Sequence, residues 1–299
     1  MGWVPFFGPA KKIGAQARIR MGTDLLSARR VSQIHPTAVI SPEATISPGV
    51  SIGPYVVADG PVSIGPDCEI GPHVHLVGPL VIGSGNRIGT GTVIGTDPQH
   101  LGYKGQSTRT EIGDFNTFRE HVTVHRGSHV AGYGATRIGS HSYFMAHSHV
   151  AHDCSVGNHC ILANGAVIGG HCELGDRVFL SGNTAIHQFV RMGRLSLMMG
   201  LAGVGKDVLP FMTVKNRITV AGVNVLGMKR AGISSADITV VRKACHLMYR
   251  SDLLVKDAIQ RLDEELGSHP LVAEMLRFAR ESKRGIMRSV RATGEGDLD

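Results

Sequence analysis

An aliphatic residue recurs at every sixth position along most of this 299-residue chain. From Ile34, steps of six reach isoleucine or leucine at ten of eleven positions up to Ile94, and most of these residues are followed by glycine or serine. The period resumes at Ile112 and, after a slip of two residues, runs from Ile138 to Val204. Neither an amphipathic helix nor a stack of hairpins has this period. The pattern predicts a solenoid in which each unit supplies a short strand, with one aliphatic side chain pointing inward, and a turn.

This pattern resembles the hexapeptide-repeat acyltransferases, in which three six-residue units form one triangular coil of a left-handed parallel β-helix. The resemblance implies the same fold and the same hand here, because periodicity alone does not set handedness. It also implies that residues 18 positions apart stack on neighbouring coils. Two segments, 95–111 and 128–137, break the period. We expect both to project from corners of the coil as loops, where binding sites commonly lie.

A helical pattern replaces the six-residue period after Pro210. Apolar residues at helical spacing, with a serine cap before the first segment, predict helices over 234–251, 253–266 and 269–282. We therefore predict an all-β solenoid over 34–212 and a C-terminal α-helical domain over 213–290 that closes the end of the prism.

Both ends of the chain are expected to lie outside the fold. Residues 1–33 are predicted to be an extension, either disordered or upstream of a native start at Met21, and residues 291–299 a disordered tail. The N-terminal segment has no basic start followed by a long apolar block, so no signal peptide is predicted. No stretch approaches ~18 uninterrupted apolar residues, so we expect no membrane span.

Charge and cysteine content narrow the classes of function. The net charge of +7 resides at the two ends, since residues 31–212 hold 10 basic and 12 acidic side chains. This distribution argues against a nucleic-acid groove along the body, while the basic C-terminal part suits an acidic partner or a membrane surface. The five cysteines lack metal-finger spacing, so we expect reduced thiols in small core sites of a cytoplasmic protein.

The stretch "SHVAHDCSVG" places His152 directly before Asp153. Adding 18 to these positions gives Gly170 and His171, so a glycine N–H and a second imidazole are expected one coil above the pair. A histidine held by a carboxylate can take a proton from a hydroxyl, and a glycine N–H can stabilise an oxyanion. These residue types predict acyl transfer by general-base catalysis, with no serine or cysteine nucleophile.

Two other interpretations remain open on the residues alone. His149, His152 and His171 could converge on zinc, as histidines do between the subunits of trimeric γ-class carbonic anhydrases, a site that needs three imidazoles about 2.0–2.1 Å from the metal. Against zinc, an acid beside His152 suits an orienting pair, and no second acid is evident for the outer shell. A non-catalytic solenoid that only binds acyl carrier protein is the other interpretation.

Several longer segments narrow the resemblance to the UDP-N-acetylglucosamine O-acyltransferases, which catalyse the first step of lipid A synthesis. These segments are "EIGDFNTFREHVTVHRGS", "AHDCSVGNHCILANGAVIGGH", "AIHQFV", "KDVLPF" and "GVNVLGMKRAGIS". The match spans about residues 34–250. It implies a homotrimer with active sites between subunits and no cofactor. It also implies that a fatty acyl group, a 3-hydroxyacyl chain, is transferred from acyl carrier protein to the 3-hydroxyl of the sugar.

The resemblance also implies roles for individual residues. The catalytic base falls on His152, its orienting acid on Asp153 and the oxyanion-stabilising glycine on Gly170. The residues matching substrate contacts in the family are His149, His171, His187, Gln188, Gln99 in a loop, Asn224 and Arg230 at the nucleotide end, and Gly200 where acyl-chain length is limited.

The chain departs from the family pattern among the residues that contact the nucleotide sugar. His100 and Gly102 replace an acid and a lysine, and Arg217 replaces a histidine. Leu226 and Ala231 replace a glutamate and the second of two arginines. The acceptor is therefore expected to be UDP-N-acetylglucosamine or a different nucleotide sugar.

Overall fold

The computed structural model describes residues 32–129, 134–217, 219–251 and 253–287. Through most of these ranges the chain passes in turn through three parallel sheets, here called faces A, B and C. Face A contains Gln33–Ile34, Ser51–Ile52, Glu69–Ile70, Arg87–Ile88, Thr117–Phe118, Tyr143–Phe144, Ile161–Leu162, Phe179–Leu180, Leu197–Met198, Met212–Val214 and the antiparallel Val220–Val223. Face B contains Val39–Ile40, Val57–Asp59, His75–Val77, Val93–Thr96, Thr123–His125, His149–Val150, Val167–Ile168, Ala185–Ile186 and Gly203–Val204. Face C contains Thr45–Ile46, Val62–Ile64, Leu80–Ile82, Arg109–Ile112, Ala135–Ile138, Ser155–Val156, Glu173–Leu174 and Arg191–Met192.

The register of the strands confirms the stacking expected at 18 residues. Ile34 pairs with Ile52, and Val150 pairs with Ile168. The offset widens where the two insertions lie, so that Ile112 pairs with Ile138. The inserted loops are shorter than the predicted 95–111 and 128–137, because Val93–Thr96, Arg109–Ile112 and Ala135–Ile138 extend as paired strands into both segments.

The interior is built from two positions of each six-residue unit. The aliphatic residue of the period is buried from Ile52 onward, while Ile34 is 46% exposed in the first coil of the described chain. The second inward position lies two residues earlier and carries small side chains such as Val56. Four of the five cysteines, Cys68, Cys154, Cys160 and Cys172, occupy it, and all five are free thiols and buried. The expectation that the cysteines fill small core sites is confirmed.

Most corners place one residue in the left-handed region, three positions after the inward aliphatic residue. Asp153 has φ of 59° and His171 has φ of 60° at equivalent corners of successive coils. Aspartate, asparagine and histidine tolerate this conformation better than most non-glycine residues. The side chains of these corner residues therefore form columns along the edges of the solenoid.

The two ends of the solenoid and the number of C-terminal helices differ from the prediction. The solenoid does not end at residue 212, since Met212–Val214 continues face A and Val220–Val223 pairs with it in antiparallel fashion. It also begins one residue before position 34, in Gln33–Ile34. Four helices follow in place of three: α1 (Val225–Arg230), α2 (Ser235–Tyr249), α3 (Val255–Leu266) and α4 (Pro270–Arg280).

Helix α1 contains too few residues to show a helical period in the sequence. The expected serine cap of α2 is confirmed, since Ser234 Oγ accepts a hydrogen bond from the N–H of Asp237. The expectations for residues 1–31 and for the tail 291–299 lie outside the described residues. No helix in the described ranges is long and apolar enough to cross a membrane.

Candidate active site

His152 and Asp153 form a buried pair at the corner between faces B and C. The Nδ1 of His152 lies 2.8 Å from Oδ2 of Asp153, and both residues are only 5% exposed. A hydrogen bond from Nδ1–H to the carboxylate leaves Nε2 as the imidazole's acceptor nitrogen. The local geometry is therefore that of a base held in one tautomer by an acid.

Asp153 is held by two residues that are distant in sequence. Its Oδ2 accepts hydrogen bonds from the backbone N–H and from the hydroxyl of Ser128, at 2.9 and 2.6 Å, and its own N–H donates to Oγ1 of Thr136. Burial acts to raise the pKa of Asp153, but the hydrogen bonds from His152 and Ser128 outweigh it and hold the pKa below its ordinary value. The carboxylate is therefore ionised at neutral pH.

The coil above supplies Gly170 and His171, as the sequence predicts. A Cβ atom built on Gly170 would lie 2.6 Å from Cε1 and 2.7 Å from Nε2 of His152, so only glycine fits against the imidazole. The Gly170 N–H donates no hydrogen bond to any residue that the structure describes. His171 N–H donates to the carbonyl of His152, and its Nε2 lies 3.8 Å from Oδ2 of Asp153. The predicted juxtaposition of these four residues is confirmed.

Two further imidazoles lie close to this group. His149 bonds through Nδ1 with Thr123 Oγ1 at 2.7 Å, and its ring packs edge-on against His125 at 5.0 Å. Burial, with the neighbouring His125 and His152, lowers the pKa of His149 to about 4. Burial also lowers the pKa of His125 and of His171, so all three rings are neutral at pH 7.

The three imidazoles named for a zinc site do not converge within one chain. Across the described ranges, ligand atoms that could share a metal belong to His152, Asp153 and His171, and His149 is not among them. Two of these three atoms already face each other across the His152–Asp153 hydrogen bond. The arrangement favours an orienting pair over a three-histidine metal centre.

His100 reaches the site from the first inserted loop. Its ring lies edge-on to His152 with ring centroids 5.3 Å apart, and its Nδ1 accepts a hydrogen bond from the N–H of Gly102. His100 departs from the family pattern, which has an acid at this position. The structure places this departure directly against the candidate base.

The remaining predicted site residues lie elsewhere on the chain. Gln99 is exposed in the loop, and His187 and Gln188 are exposed on the coil above Gly170. Across the described chain, none of Gln99, His187, Gln188, Gly200, Asn224 and Arg230 makes a hydrogen bond, ion pair or ring contact with His152. One copy of the chain therefore assembles the base, the acid and the glycine but not the predicted nucleotide contacts.

Asn224 has a structural role of its own. It is buried, its Nδ2 donates to the carbonyl of Leu195, and its Oδ1 accepts from the N–H of Gly227 to cap α1. Arg230 is exposed in the last turn of that helix, and Gly200 lies at the corner between faces A and B. Their contacts with substrate remain predictions.

Three residues of the site were not identified from the sequence. His125, Ser128 and Thr136 contact the group from one coil below, on either side of the second insertion. His125 lies 24 residues before His149, and Ser128 and Thr136 lie 25 and 17 residues before Asp153, so adding or subtracting 18 does not find them. The "HRGS" stretch in which His125 and Ser128 lie was quoted for the resemblance and was the only available signal.

Comparison with known proteins matches both the solenoid and the C-terminal part of the chain. The family model for bacterial transferase hexapeptide repeats matches residues 61–96 and 135–170, and the model for domain 2 of UDP-N-acetylglucosamine O-acyltransferase matches residues 207–287. An acyl-[acyl-carrier-protein]–UDP-N-acetylglucosamine O-acyltransferase from Anaeromyxobacter dehalogenans is 43% identical over 256 residues, covering 85% of this chain and 99% of the relative. This chain belongs to that acyltransferase family.

Other members of the acyltransferase family agree in sequence and in fold. A relative from Halorhodospira halophila is 40% identical over 259 residues, covering 86% of this chain and all of the relative. The Moraxella catarrhalis UDP-N-acetylglucosamine O-acyltransferase structure superposes with a TM-score of 0.82 at 36% identity, covering 85% of this chain and 99% of that chain. The Francisella novicida enzyme gives 0.83 at 33% identity, covering 87% and 95%. The fold is the left-handed parallel β-helix of this acyltransferase family.

Proposed function

We propose that this protein transfers a 3-hydroxyacyl group from acyl carrier protein to the 3-hydroxyl of UDP-N-acetylglucosamine, the first step of lipid A synthesis. The observation that carries the proposal is the buried His152–Asp153 pair packed beneath Gly170. A thioester donor and a sugar hydroxyl fit this arrangement, because it offers one base and one oxyanion donor and does not require a side-chain nucleophile.

The reaction follows from the atoms that face the substrate. His152 Nε2 removes the proton as the sugar oxygen forms a bond to the thioester carbon, and the carbonyl oxygen becomes an oxyanion that the Gly170 N–H stabilises. The tetrahedral intermediate then collapses, the carbon–sulfur bond breaks, and the imidazolium returns the proton to the leaving thiolate. The products are the ester and the free thiol of the carrier.

The surrounding charges assist the base. Asp153 is ionised, so it stabilises the imidazolium that forms at His152 through their 2.8 Å contact. His171 and His149 are neutral at pH 7, so they add no positive charge that would oppose protonation of His152. The site is thus arranged for a transient charge on one imidazole.

No cofactor is required by this chemistry, and the acyl carrier protein thioester is the co-substrate. We expect the enzyme to work in the cytoplasm, where its donor and nucleotide-sugar acceptor are available. The basic C-terminal part is suited to an acidic carrier protein and to a peripheral association with an anionic membrane surface.

A homotrimer is part of the proposal, and the outward residues of the faces support it. Face C presents a ladder of ion pairs in which Glu111 contacts Arg137, and Glu173 contacts Arg191. Faces A and B present apolar side chains on the same coils as the site: Ile161, Phe179, Leu197, Val167 and Ala185. Burying faces A and B between copies would complete the cleft with Asn224, Arg230 and Gly200 of a neighbouring copy.

A different nucleotide sugar is the second candidate acceptor. The observation that favours it is the position of His100, whose ring packs against the base where the family pattern has an acid. A neutral or cationic ring in this position changes the hydrogen bonds and the charge offered to the sugar. The catalytic step would be the same.

The test is acyl transfer by the purified protein with a 3-hydroxyacyl carrier thioester and UDP-N-acetylglucosamine, followed by mass spectrometry. The wild type should form the 3-O-acyl product, and His152→Ala should reduce the rate by about 10²–10⁴. His246→Ala, an exposed histidine on α2, serves as the matched control and should keep full activity. Activity that survives loss of His152, or one equivalent of tightly bound zinc, would overturn the general-base assignment. Acylation of another nucleotide sugar alone would favour the second candidate.

A further inference from the structure

The first inserted loop, residues 97–108, leaves the solenoid at the corner between faces B and C. Gly95 turns the chain there with φ of 89°, and a Cβ at this position would lie 2.1 Å from the carbonyl oxygen of Val77. Only glycine fits such a turn. The strand pairing places this corner two coils below the corner that carries His152.

Few polar contacts join the loop to the coils. Some of its polar groups bond to one another, as where the N–H of Gly102 donates to Nδ1 of His100. Across the described ranges, its polar side chains reach the solenoid through one ring contact, His100 against His152, and one ion pair, formed by Asp97. Leu101, next to His100, is fully exposed. The ion pair of Asp97 is therefore the polar contact that fixes the stem of the loop, three residues before His100.

The partner of Asp97 is Arg126, on the coil above. Its Nη2 lies 2.7 Å from Oδ1 of Asp97, and its Nη1 donates to the carbonyl of Gly78, on the coil below the loop, at 3.1 Å. The backbone N–H of Arg126 donates to the carbonyl of Thr96. The Arg126 side chain is only 15% exposed, whereas that of Asp97 is 67% exposed. The guanidinium therefore joins three successive levels of this corner.

Arg126 also lies between two residues of the catalytic corner. His125, which precedes it, packs edge-on against His149. Ser128, two residues later, donates two hydrogen bonds to Asp153. One segment of four residues thus holds both the catalytic acid and the stem of the first inserted loop.

The charge of Arg126 explains why an acid matters at residue 97. Without that carboxylate, the guanidinium would keep its bond to the carbonyl of Gly78, and its Nε forms no hydrogen bond within the described ranges. Leaving a largely buried charge without its counterion is costly. The ion pair therefore favours the loop conformation in which Asp97 lies over Arg126 and His100 lies against His152.

We propose that Arg126 is a positioning residue for the acceptor: its ion pair with Asp97 holds the first inserted loop so that His100 lies beside the sugar at the base. This inference rests on the proposed function, in which the acceptor hydroxyl must approach His152. The pair acts through the loop and touches no substrate. Its loss should weaken binding of the nucleotide sugar and spare the thioester donor, because Gly170 lies on the coil above the base and the loop rises from below.

The first test is steady-state kinetics of Asp97 variants, because Arg126→Ala could disturb folding. Asp97→Ala should raise the KM of the nucleotide sugar roughly fivefold, the upper end for an ion pair with one exposed partner, and leave kcat and the KM of the donor near the wild-type values. Asp97→Glu, which keeps the carboxylate, should recover most of the affinity. Arg126→Lys, whose ammonium lacks the fork that reaches both Gly78 and Asp97, should resemble Asp97→Ala. Asp59→Ala removes an exposed aspartate from the same corner two coils lower and should behave as the wild type.

A second measurement needs no turnover. Amide hydrogen exchange in residues 97–108, and tryptic cleavage after the exposed Lys104, report how firmly the loop is held. Asp97→Ala should speed both and leave exchange in α2 unchanged. A wild type that differs from Asp97→Ala in this way but transfers no acyl group would refute the proposed function alone.

Three results would overturn the inference. Unchanged exchange in residues 97–108 of Asp97→Ala would show that the pair does not hold the loop. A fall in kcat/KM for both substrates, together with a lower melting temperature, would indicate a role in folding only. The same rise in the nucleotide-sugar KM with and without His100→Ala in the background would show that the pair does not act through His100.

Discussion

Replacing Gly170 by alanine tests the packing on which the site depends. The added Cβ would lie 2.6 Å from Cε1 of the His152 ring, whereas ordinary contact begins near 3.4 Å. The ring must therefore move by about 0.8 Å. It is 5% exposed, bonded to Asp153 and packed edge-on against His100 and His171, so it cannot rotate away without losing one of these contacts.

A displacement of this size at the reacting atom should be costly for catalysis. A misplacement near 1 Å can cost about 10²-fold in rate, so we expect kcat for Gly170→Ala to fall by roughly that factor. The assay is steady-state acyl transfer with both substrates saturating, beside thermal unfolding of the same preparation. The melting temperature should fall by only a few degrees, because the backbone at residue 170 has no positive φ to preserve.

The matched control is Gly182→Ala, at a corner of a nearby coil. Its Cβ would lie 3.6 Å from the nearest atom, the carbonyl oxygen of Asn164, and should be accommodated. Both the rate and the melting temperature should stay near the wild-type values. The reasoning is refuted if Gly170→Ala keeps kcat within twofold of the wild type, or if the two alanine variants lose activity equally.

Three further predictions concern the residues around the base and the C-terminal helices. Ser128→Ala removes the 2.6 Å bond to Asp153 and should raise the pKa of that carboxyl, lower kcat several-fold and cost about 1 kcal/mol in urea unfolding. The pKa of His149 in the folded protein is about 4, below the ordinary 6.5, so between these pH values the unfolded chain binds more protons than the folded protein. The free energy of unfolding should therefore fall as the pH drops from 6.5 to about 4. His149→Gln should make the melting temperature less dependent on pH over this range. Arg194→Ala removes two bonds to Glu274 and should cost about 1 kcal/mol and speed amide exchange in α4.

Each of these has a contrary outcome. An unchanged pH–rate profile and kcat in Ser128→Ala would show that the backbone N–H alone orients Asp153. A melting curve for His149→Gln as steep in pH as the wild type would assign the acid sensitivity to other groups. Unchanged exchange in α4 after Arg194→Ala would show that apolar packing, and not this ion pair, holds the helix to the solenoid.

The catalytic group was predictable because it lies where the six-residue period is uninterrupted. Between Ile138 and Val204 every coil has 18 residues, so addition alone placed Gly170 over His152 and His171 over Asp153. The inward aliphatic residues and the corner columns follow from the same count. In a strict repeat, the neighbours of each residue on adjacent coils follow from its residue number.

The partners across the second insertion were not predictable in this way. Thr123 and Val124 pair with His149 and Val150 at an offset of 26, because an inserted loop adds residues without adding a coil. The hydroxyl of Ser128 reaches Asp153 only through the path that this loop takes. The length of an insertion is visible in the sequence, but the direction in which it projects is set by packing.

The sequence by itself determined the solenoid, its interior and the vertical alignment of base, acid and glycine, since these depend only on a period. The tertiary structure alone decided how Asp153 is anchored, that His100 packs against the base, and that the segment after α4 returns to the top coils. Those contacts join segments separated by loops, helices or the chain end. Their formation depends on side-chain packing and hydrogen bonding, which no repeat encodes.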